Sequence, residues 1–374
     1  MHALKSCFDE TSGISSNSFI DSRNPSTSRF NNHLVEPMHR GADGIFIDDD
    51  LASAITPQGR LGKALFDRTS AVRSYVIDMA TIEEIQDLAD GYSFINEIGE
   101  VIEIPEFVIA DIWLNTLRSA VKGRSVSALP YGNPDQKFLE SKSPDEYGFL
   151  KQVGTTRLAA FLALPVTSVD SLDLGGESIA KNRALGDAYR QELRILYSVA
   201  PAPELASLRL ALGQILNPAL SKESSDLLYE NLTKALLENS KKLRVAGGNY
   251  TITASNYDLP VTVINDFSVP VNVELIARPT NSRIVIGTTP LVSVPANSQS
   301  QVEIPLRIIA SGEAQIELKL RSEKGKQVGE VDYIPLRLAV ISPLTTWFTT
   351  GMAIILLLAA VIQSMRRVKK RKKL

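Results

Sequence analysis

Two aspartates frame the chemistry this chain could perform. Asp78 closes the apolar stretch AVRSYVIDM, and Asp135 lies in ALPYGNPD beside Tyr131 and Asn133. If both stretches are neighbouring strands of a parallel sheet, all four residues stand at strand carboxyl ends. There α/β folds gather their ligands. Two carboxylates in one cleft can act as acid and base on a glycan, or hydrogen-bond its hydroxyls. Each also has a plainer use, since N-P-D is ordinary turn chemistry and Asp78 suits a helix N-cap. Asp78, Tyr131, Asn133 and Asp135 are therefore ligand-binding candidates, and no catalytic residue is assigned.

Other chemistries lack their parts. There is no G-x-S-x-G elbow, no G-x-x-x-x-G-K-[ST] phosphate loop, no G-x-G-x-x-G fingerprint and no Cys/His dyad. The single cysteine, Cys7, and three histidines, His2, His33 and His39, are too few for a Cys/His zinc site at any usual spacing. No metal and no cofactor is expected. The run Asp48, Asp49, Asp50 suits the N-cap and first turn of a helix.

The elements that must position the candidates follow in order. Residues 1–32 are polar without an apolar period, and read as disordered or as a remnant segment. Residues 33–184 alternate strand and helix, the mark of a parallel α/β domain. A strand over Val72–Ile77 precedes a helix whose Ile82, Ile85, Leu88 and Ala89 fall at helical spacing. Pro105 opens a second helix, with Val108, Ile112, Leu114 and Leu117 on its apolar side and Gly123 at its end. A strand over Val126–Leu129, a helix around Glu146–Val153 and an apolar run AAFLALP, read as a strand, complete the series.

Residues 185–245 turn helical, forming three amphipathic helices that extend this domain. Gly247-Gly248 reads as an interdomain hinge. Over residues 249–341 the apolar period becomes two, as in Val302, Ile304, Leu306 and Ile308 against Glu303 and Arg307. Some seven or eight short strands without a helix signal describe an immunoglobulin-like β-sandwich, without the cysteine pair or core tryptophan of antibody domains.

Pro343–Met365 carries no charge, and Arg366, Arg367, Lys369, Lys370 and further basic residues follow over 366–374. That pattern predicts a single transmembrane helix over 343–365, with Trp347 and the basic residues at the membrane interfaces. The expected topology is single-pass, with a cytoplasmic C-terminus, the bulk of the chain extracytoplasmic and the lipid bilayer as partner. No signal-peptide pattern opens the chain, so the expectation is a missing upstream piece. Outside the basic tail the chain is mildly acidic, and no nucleic-acid partner is expected.

Four segments and the C-terminal pattern occur together in one known order. HLVEPMHRGADGIFIDDDLASAITPQGRL, ALPYGNPD, PVTVINDFSVPVNVEL and PANSQSQVEIPL, then the apolar and basic stretches, resemble an uncharacterised actinobacterial envelope family, the domain of unknown function six-zero-four-nine. The resemblance covers about residues 33–374. It implies a single-span envelope protein with an α/β domain distantly similar to polysaccharide-deacetylase barrels and a sandwich near the membrane. Family members often lie beside genes for lipid-II flipping. They usually begin with a signal peptide and a further β-domain, both missing here. A deacetylase-type site would pair an Asp with two closely spaced histidines, whereas His33 and His39 lie upstream of Asp48–Asp50.

The expected fold class is thus α+β multidomain, with a partial barrel-like parallel sheet, a helical segment, a sandwich and one membrane helix. The expected function is a binding or scaffolding component linked to cell-wall assembly, with a cell-wall glycan or a wall-assembly membrane protein as partner. The rival readings are a weak or degenerate carbohydrate-active enzyme and a purely structural tail-anchored protein.

Overall fold

The structure is a computed structural model. It describes residues 31–67, 74–176, 178–289, 291–339 and 343–371. These form two compact units, one of residues up to Asp187 with Leu210–Asn231, the other of Ala188–Arg209 with residues from Leu232 onward.

The first unit is built on four parallel strands, β1 (Asn31–Leu34), β2 (Ser74–Ile77), β5 (Ser125–Ala128) and β6 (Thr167–Ser168), side by side in chain order. Leu34, Tyr75, Ile77, Val126 and Ala128 are buried, as strands covered by helices require. Helices α1 (Asp50–Ile55) and α2 (Arg60–Phe66) lead from β1 to β2. Helix α3 (Met79–Ala89) follows β2 and buries Ile82, Ile85, Leu88 and Ala89, as their spacing predicts. Between it and α4 (Val108–Ala120) the chain makes an antiparallel hairpin, β3 (Tyr92–Ile95) and β4 (Val101–Ile104). Its turn is fixed by Asn96, whose side-chain oxygen accepts from the amides of Ile98 and Glu100.

Two expectations are corrected in this unit. Helix α4 buries Ala110, Trp113, Leu114 and Leu117, while Val108 and Ile112 are exposed, so its inner face is turned toward the tryptophan. Trp113 is fully buried and its indole N–H donates to the carbonyl of Leu61 at 3.1 Å. AAFLALP is not a strand. After α5 (Gln136–Lys142), one long helix, α6 (Pro144–Leu162), runs into it and ends there, with Pro144 in its first turn and Ala163 left-handed at its end. Leu158 and Leu162, four apart, are buried on one side of that helix, and a short apolar stretch does not distinguish such a helix from a strand. Gly154 lies where α6 passes the chain after β5, since a β-carbon there would stand 2.3 Å from the Leu129 carbonyl. Asp49 and Asp50 occupy the α1 N-cap and first turn, as their run predicts, although Asp49 makes no side-chain cap bond. Its carboxylate instead accepts from the Tyr92 hydroxyl at 2.5 Å, and that of Asp48 bonds His39 Nδ1 at 2.8 Å.

Helices α7 (Ile179–Val199), α8 (Ala206–Ile215) and α9 (Lys222–Ser240) occupy the three stretches read as helical. The second unit then forms two sheets. One orders β12 (Leu291–Val294), β10 (Val271–Pro279), β14 (Gly312–Arg321), β15 (Gln327–Leu338) and β8 (Tyr250–Ile252). The other orders β11 (Ile284–Ile286), β13 (Ser298–Ile308), β9 (Asn256–Asn265) and β7 (Leu243–Ala246). The inward set includes Leu259, Val261, Val263, Val273, Leu275, Ile316, Leu318, Ile334 and Leu336, all buried, in the alternation of an immunoglobulin-like sandwich. Strand β7 pairs with β9, so Gly247-Gly248 is no interdomain hinge but the link between two sandwich strands.

The last helix is α10 (Pro343–Arg371). Its described side chains run from Thr350 to Ser364, and Met352, Ile354–Leu358, Val361 and Ile362 are exposed. Among the described residues no helix is long and apolar enough to cross a membrane. That finding overturns the expected transmembrane helix at 343–365 and the single-pass assignment drawn from it, because about 20 apolar residues are needed for a span. The side chains of Trp347, Arg366, Arg367, Lys369 and Lys370 lie outside the described residues, as do residues 1–30 with Cys7 and His2.

One buried amide ties the sandwich corner together. Asn265 ends β9 fully buried, and its Nδ2 donates to the carbonyls of Val269 at 2.8 Å, Val294 at 3.3 Å and Pro295 at 2.9 Å. Its Oδ1 accepts from the Phe267 amide at 3.0 Å. Replacing it leaves buried carbonyls without a donor, which costs about 1–3 kcal/mol for each orphaned group. Asn265→Ala should lower the calorimetric unfolding midpoint by several degrees, whereas exposed Asn272→Ala should leave it in place. Equal midpoints for the two variants would remove the corner from this account.

Candidate functional site

Asp78, Tyr131, Asn133 and Asp135 do come together at the carboxyl end of the parallel sheet. Strand β2 delivers Asp78 directly, its amide donating to the Leu34 carbonyl of β1 at 2.9 Å. The other three lie on the loop leaving β5, whose Leu129 amide continues the ladder onto the Ile77 carbonyl at 2.9 Å.

Each of the four is committed to holding that loop. Asp78 is fully buried at the N-cap of α3, and its Oδ1 accepts from the Ala80 amide at 3.1 Å and the Gly132 amide at 3.0 Å. Gly132 has φ +78, and a β-carbon there would meet the backbone of Gly213 and Gln214, so only glycine fits the approach. Asn133, also fully buried, closes a two-way bond with Leu172, donating to its carbonyl at 3.2 Å and accepting from its amide at 2.8 Å. Asp135 caps α5 through the Phe138 amide at 3.0 Å, and its second oxygen pairs with Arg183 at 2.6 Å. The Tyr131 hydroxyl donates to Glu83 at 2.6 Å, and Glu83 also pairs with Arg157 at 2.8 Å. Asp78 and Asp135 share no hydrogen bond.

The cluster extends to residues that the sequence did not single out. Glu84, one turn into α3, is buried and accepts from the His39 amide at 3.1 Å and the Gln214 side chain at 2.9 Å. Asn217 donates to the Gly132 carbonyl at 3.0 Å. Glu84 directly precedes Ile85 in α3, and nothing in the local spacing marks it as buried. Among the described residues, no group of three His, Cys, Asp or Glu side chains stands ready to hold a metal ion.

Burial sets the electrostatics. It pushes the Asp78 carboxyl up to about 7, against the pull of its two backbone donors. The Asp78 Oδ2 atom is buried without a partner among the described residues. Glu84 is likewise pushed up to about 7 by burial, opposed by the nearby His39 charge and amide. Burial alone would lower His39, but its bond to Asp48 and the charges of Glu84, Asp48 and Glu36 outweigh it and raise the imidazole. Burial, then the Glu83 carboxylate, holds the Tyr131 phenol well above its ordinary range.

The second unit carries a separate concavity. A cleft of about 730 Å³ lies on the five-stranded sheet, lined among others by Tyr250, Thr251, Glu313, Gln315, Pro335 and Arg337.

A parallel α/β unit joined in sequence to an immunoglobulin-like sandwich makes this an α+β protein of two units. Residues 204–372 match the model described as Family of unknown function (DUF6049), the uncharacterised family that the C-terminal segments of this chain resemble. No curated protein matches the chain. Among solved structures, WR4, an MSP family member of C. elegans, is 12% identical, with 26% of this chain and 99% of that one covered at TM-score 0.22. The ASH/PapD-like domain 7 of human CEP192 is 11% identical, covering 27% and 86%, at TM-score 0.21. E. coli alpha-2-macroglobulin is 14% identical, covering 26% and 6%, at TM-score 0.21.

The raised carboxyls predict a pH dependence with a definite sign. A carboxylic acid whose folded pKa exceeds its unfolded value of about 4 binds more protons when folded, so stability falls as pH rises from about 4 through about 7. His39, raised above its ordinary value, acts in the same sense and loses its contribution as pH rises through its folded pKa. Thermal unfolding between pH 5 and 8 should show a falling midpoint, and the combined Asp78→Asn, Glu84→Gln variant a flatter one. A midpoint that climbs over this range would contradict the assignment.

Proposed function

We propose that the protein is a non-catalytic binding or scaffolding component linked to cell-wall assembly in the cell envelope, with a wall glycan or a wall-assembly protein as its partner. One observation supports this most. The four residues best placed for chemistry at the sheet's carboxyl end are spent on capping helices and fixing the β5 loop. A glycosidase or deacetylase needs its carboxylates facing substrate, whereas Asp78 has no exposed surface and Asp135 is engaged by the Phe138 amide and Arg183. The link to wall assembly rests on the family resemblance alone.

A second reading keeps one observation in its favour. The Asp78 oxygen without a partner, on a carboxyl pushed up to about 7, is the form in which a general acid is held. The weak carbohydrate-active enzyme would use it.

Incubation of the full chain with purified insoluble peptidoglycan separates the two. The binding reading expects the protein to sediment with the polymer and to release neither reducing ends nor acetate over many hours. Release of either that disappears in Asp78→Asn, with the variant still folded, would establish the enzyme instead. Failure of the wild type to sediment would count against glycan as the partner.

A further inference from the structure

We infer that the cleft on the five-stranded sheet is a binding site for a short oligosaccharide bearing carboxylate groups. The inference rests on the reading of the protein as a binding component and gives that reading a place and a ligand class.

The cleft's volume, about 730 Å³, falls within the range of small-molecule sites. Its floor is the outward face of β8, β15 and β14. Arg337 stands opposite both Thr251 of β8 and Glu313 of β14, and Gln315 stands opposite Pro335. Thr251, Glu313, Gln315, Pro335 and Arg337 are all exposed. Charges of opposite sign at directly opposed positions ordinarily pair across a sheet. Here they do not. Among the described residues the side chains of Thr251, Glu313, Gln315 and Arg337 make no hydrogen bond or ion pair.

The rim behaves differently. The Thr280 hydroxyl donates to the Gln315 carbonyl at 3.0 Å, the Asn281 amide to the Glu313 carbonyl at 3.2 Å, and the Tyr250 hydroxyl to the Pro260 carbonyl at 2.9 Å. The walls are thereby pinned while the floor keeps its donors and acceptors idle.

Those idle groups describe their ligand. A guanidinium fork matches a carboxylate in two parallel bonds. A primary amide, a hydroxyl and a carboxylate around it supply donors and acceptors together, which vicinal sugar hydroxyls need. Leu336, the large aliphatic residue of the lining, is buried beneath the sheet, so the exposed floor is set by the polar side chains.

The test is calorimetric titration of the full chain with a hyaluronan tetrasaccharide, whose alternate sugars carry carboxylates, and with neutral chitotetraose. The hyaluronan fragment should bind, and more tightly than chitotetraose. Arg337→Ala should weaken it roughly tenfold or more and Gln315→Ala roughly threefold to tenfold, from the worth of charged and neutral hydrogen bonds. Both positions are exposed, and unchanged circular dichroism would show that the fold survives. The inference falls if neither saccharide binds, if the neutral one binds better, if both variants bind like wild type, or if an extended peptide occupies the cleft in their place. Retention of the Arg337→Ala, Gln315→Ala double variant on peptidoglycan would reject this cleft while leaving the binding reading intact. Loss of retention in the wild type itself would reject the reading.

Discussion

The first unit depends on one carboxylate placed out of water. Asp78 has no exposed surface, yet it joins three elements at once: it ends β2, caps α3 through the Ala80 amide and grips the β5 loop through the Gly132 amide. Burying a charge is costly, and two backbone donors offset only part of it. The carboxyl therefore rises toward neutrality instead of ionising freely. The geometry around it explains the neighbouring sequence. Gly132 must be glycine because the backbone of Gly213 and Gln214 passes too close for a side chain. Asn133 takes a left-handed conformation, φ 48, which asparagine tolerates better than most residues, and uses its amide to bind Leu172 in both directions. The loop that elsewhere in α/β folds presents a ligand site is here fastened by Asp78, Asn133 and Asp135.

The sandwich solves a different problem in a different way. Its interior is apolar and alternates with period two, so stability is carried by burial, and polar anchoring is concentrated at Asn265. Its outer sheet face is free to hold polar side chains without cost to the core. Glu313, Gln315 and Arg337 stand there uncommitted, whereas Asp78, Tyr131, Asn133 and Asp135 of the first unit each hold a structural bond. The contrast between spent and idle polar groups directs attention from the α/β sheet to the sandwich.

Much of this architecture can be read from residue spacing. The period-two strands from Asn256 to Leu338 and the helical spacing of Ile82, Ile85 and Leu88 are local signals, and local signals survive folding. The convergence of Asp78 with the loop carrying Tyr131, Asn133 and Asp135 was also legible, because parallel strands bring their carboxyl ends together. What was not legible is what those side chains do on arrival. Whether Asp135 faces a substrate or Arg183 depends on a helix 48 residues later in the chain. The burial of Glu84 likewise depends on Gln214, 130 residues away. The run AAFLALP misleads because a short apolar stretch fits a buried strand as well as the end of a long helix. At the C-terminus an apolar stretch followed by basic residues suggested a membrane span, while no described helix is long and apolar enough for one.

The central claim is that the strand-end carboxylates build the fold. Amide hydrogen exchange at Gly132 tests it most directly. In the wild type the Gly132 amide should be protected about as well as those of β5, since Asp78 is its acceptor. In Asp78→Ala it should exchange by several orders of magnitude faster while Val126 and Ala128 keep their protection. Equal protection of Gly132 in both proteins would show that the loop is held by something else, and would return Asp78 to the list of residues free for chemistry.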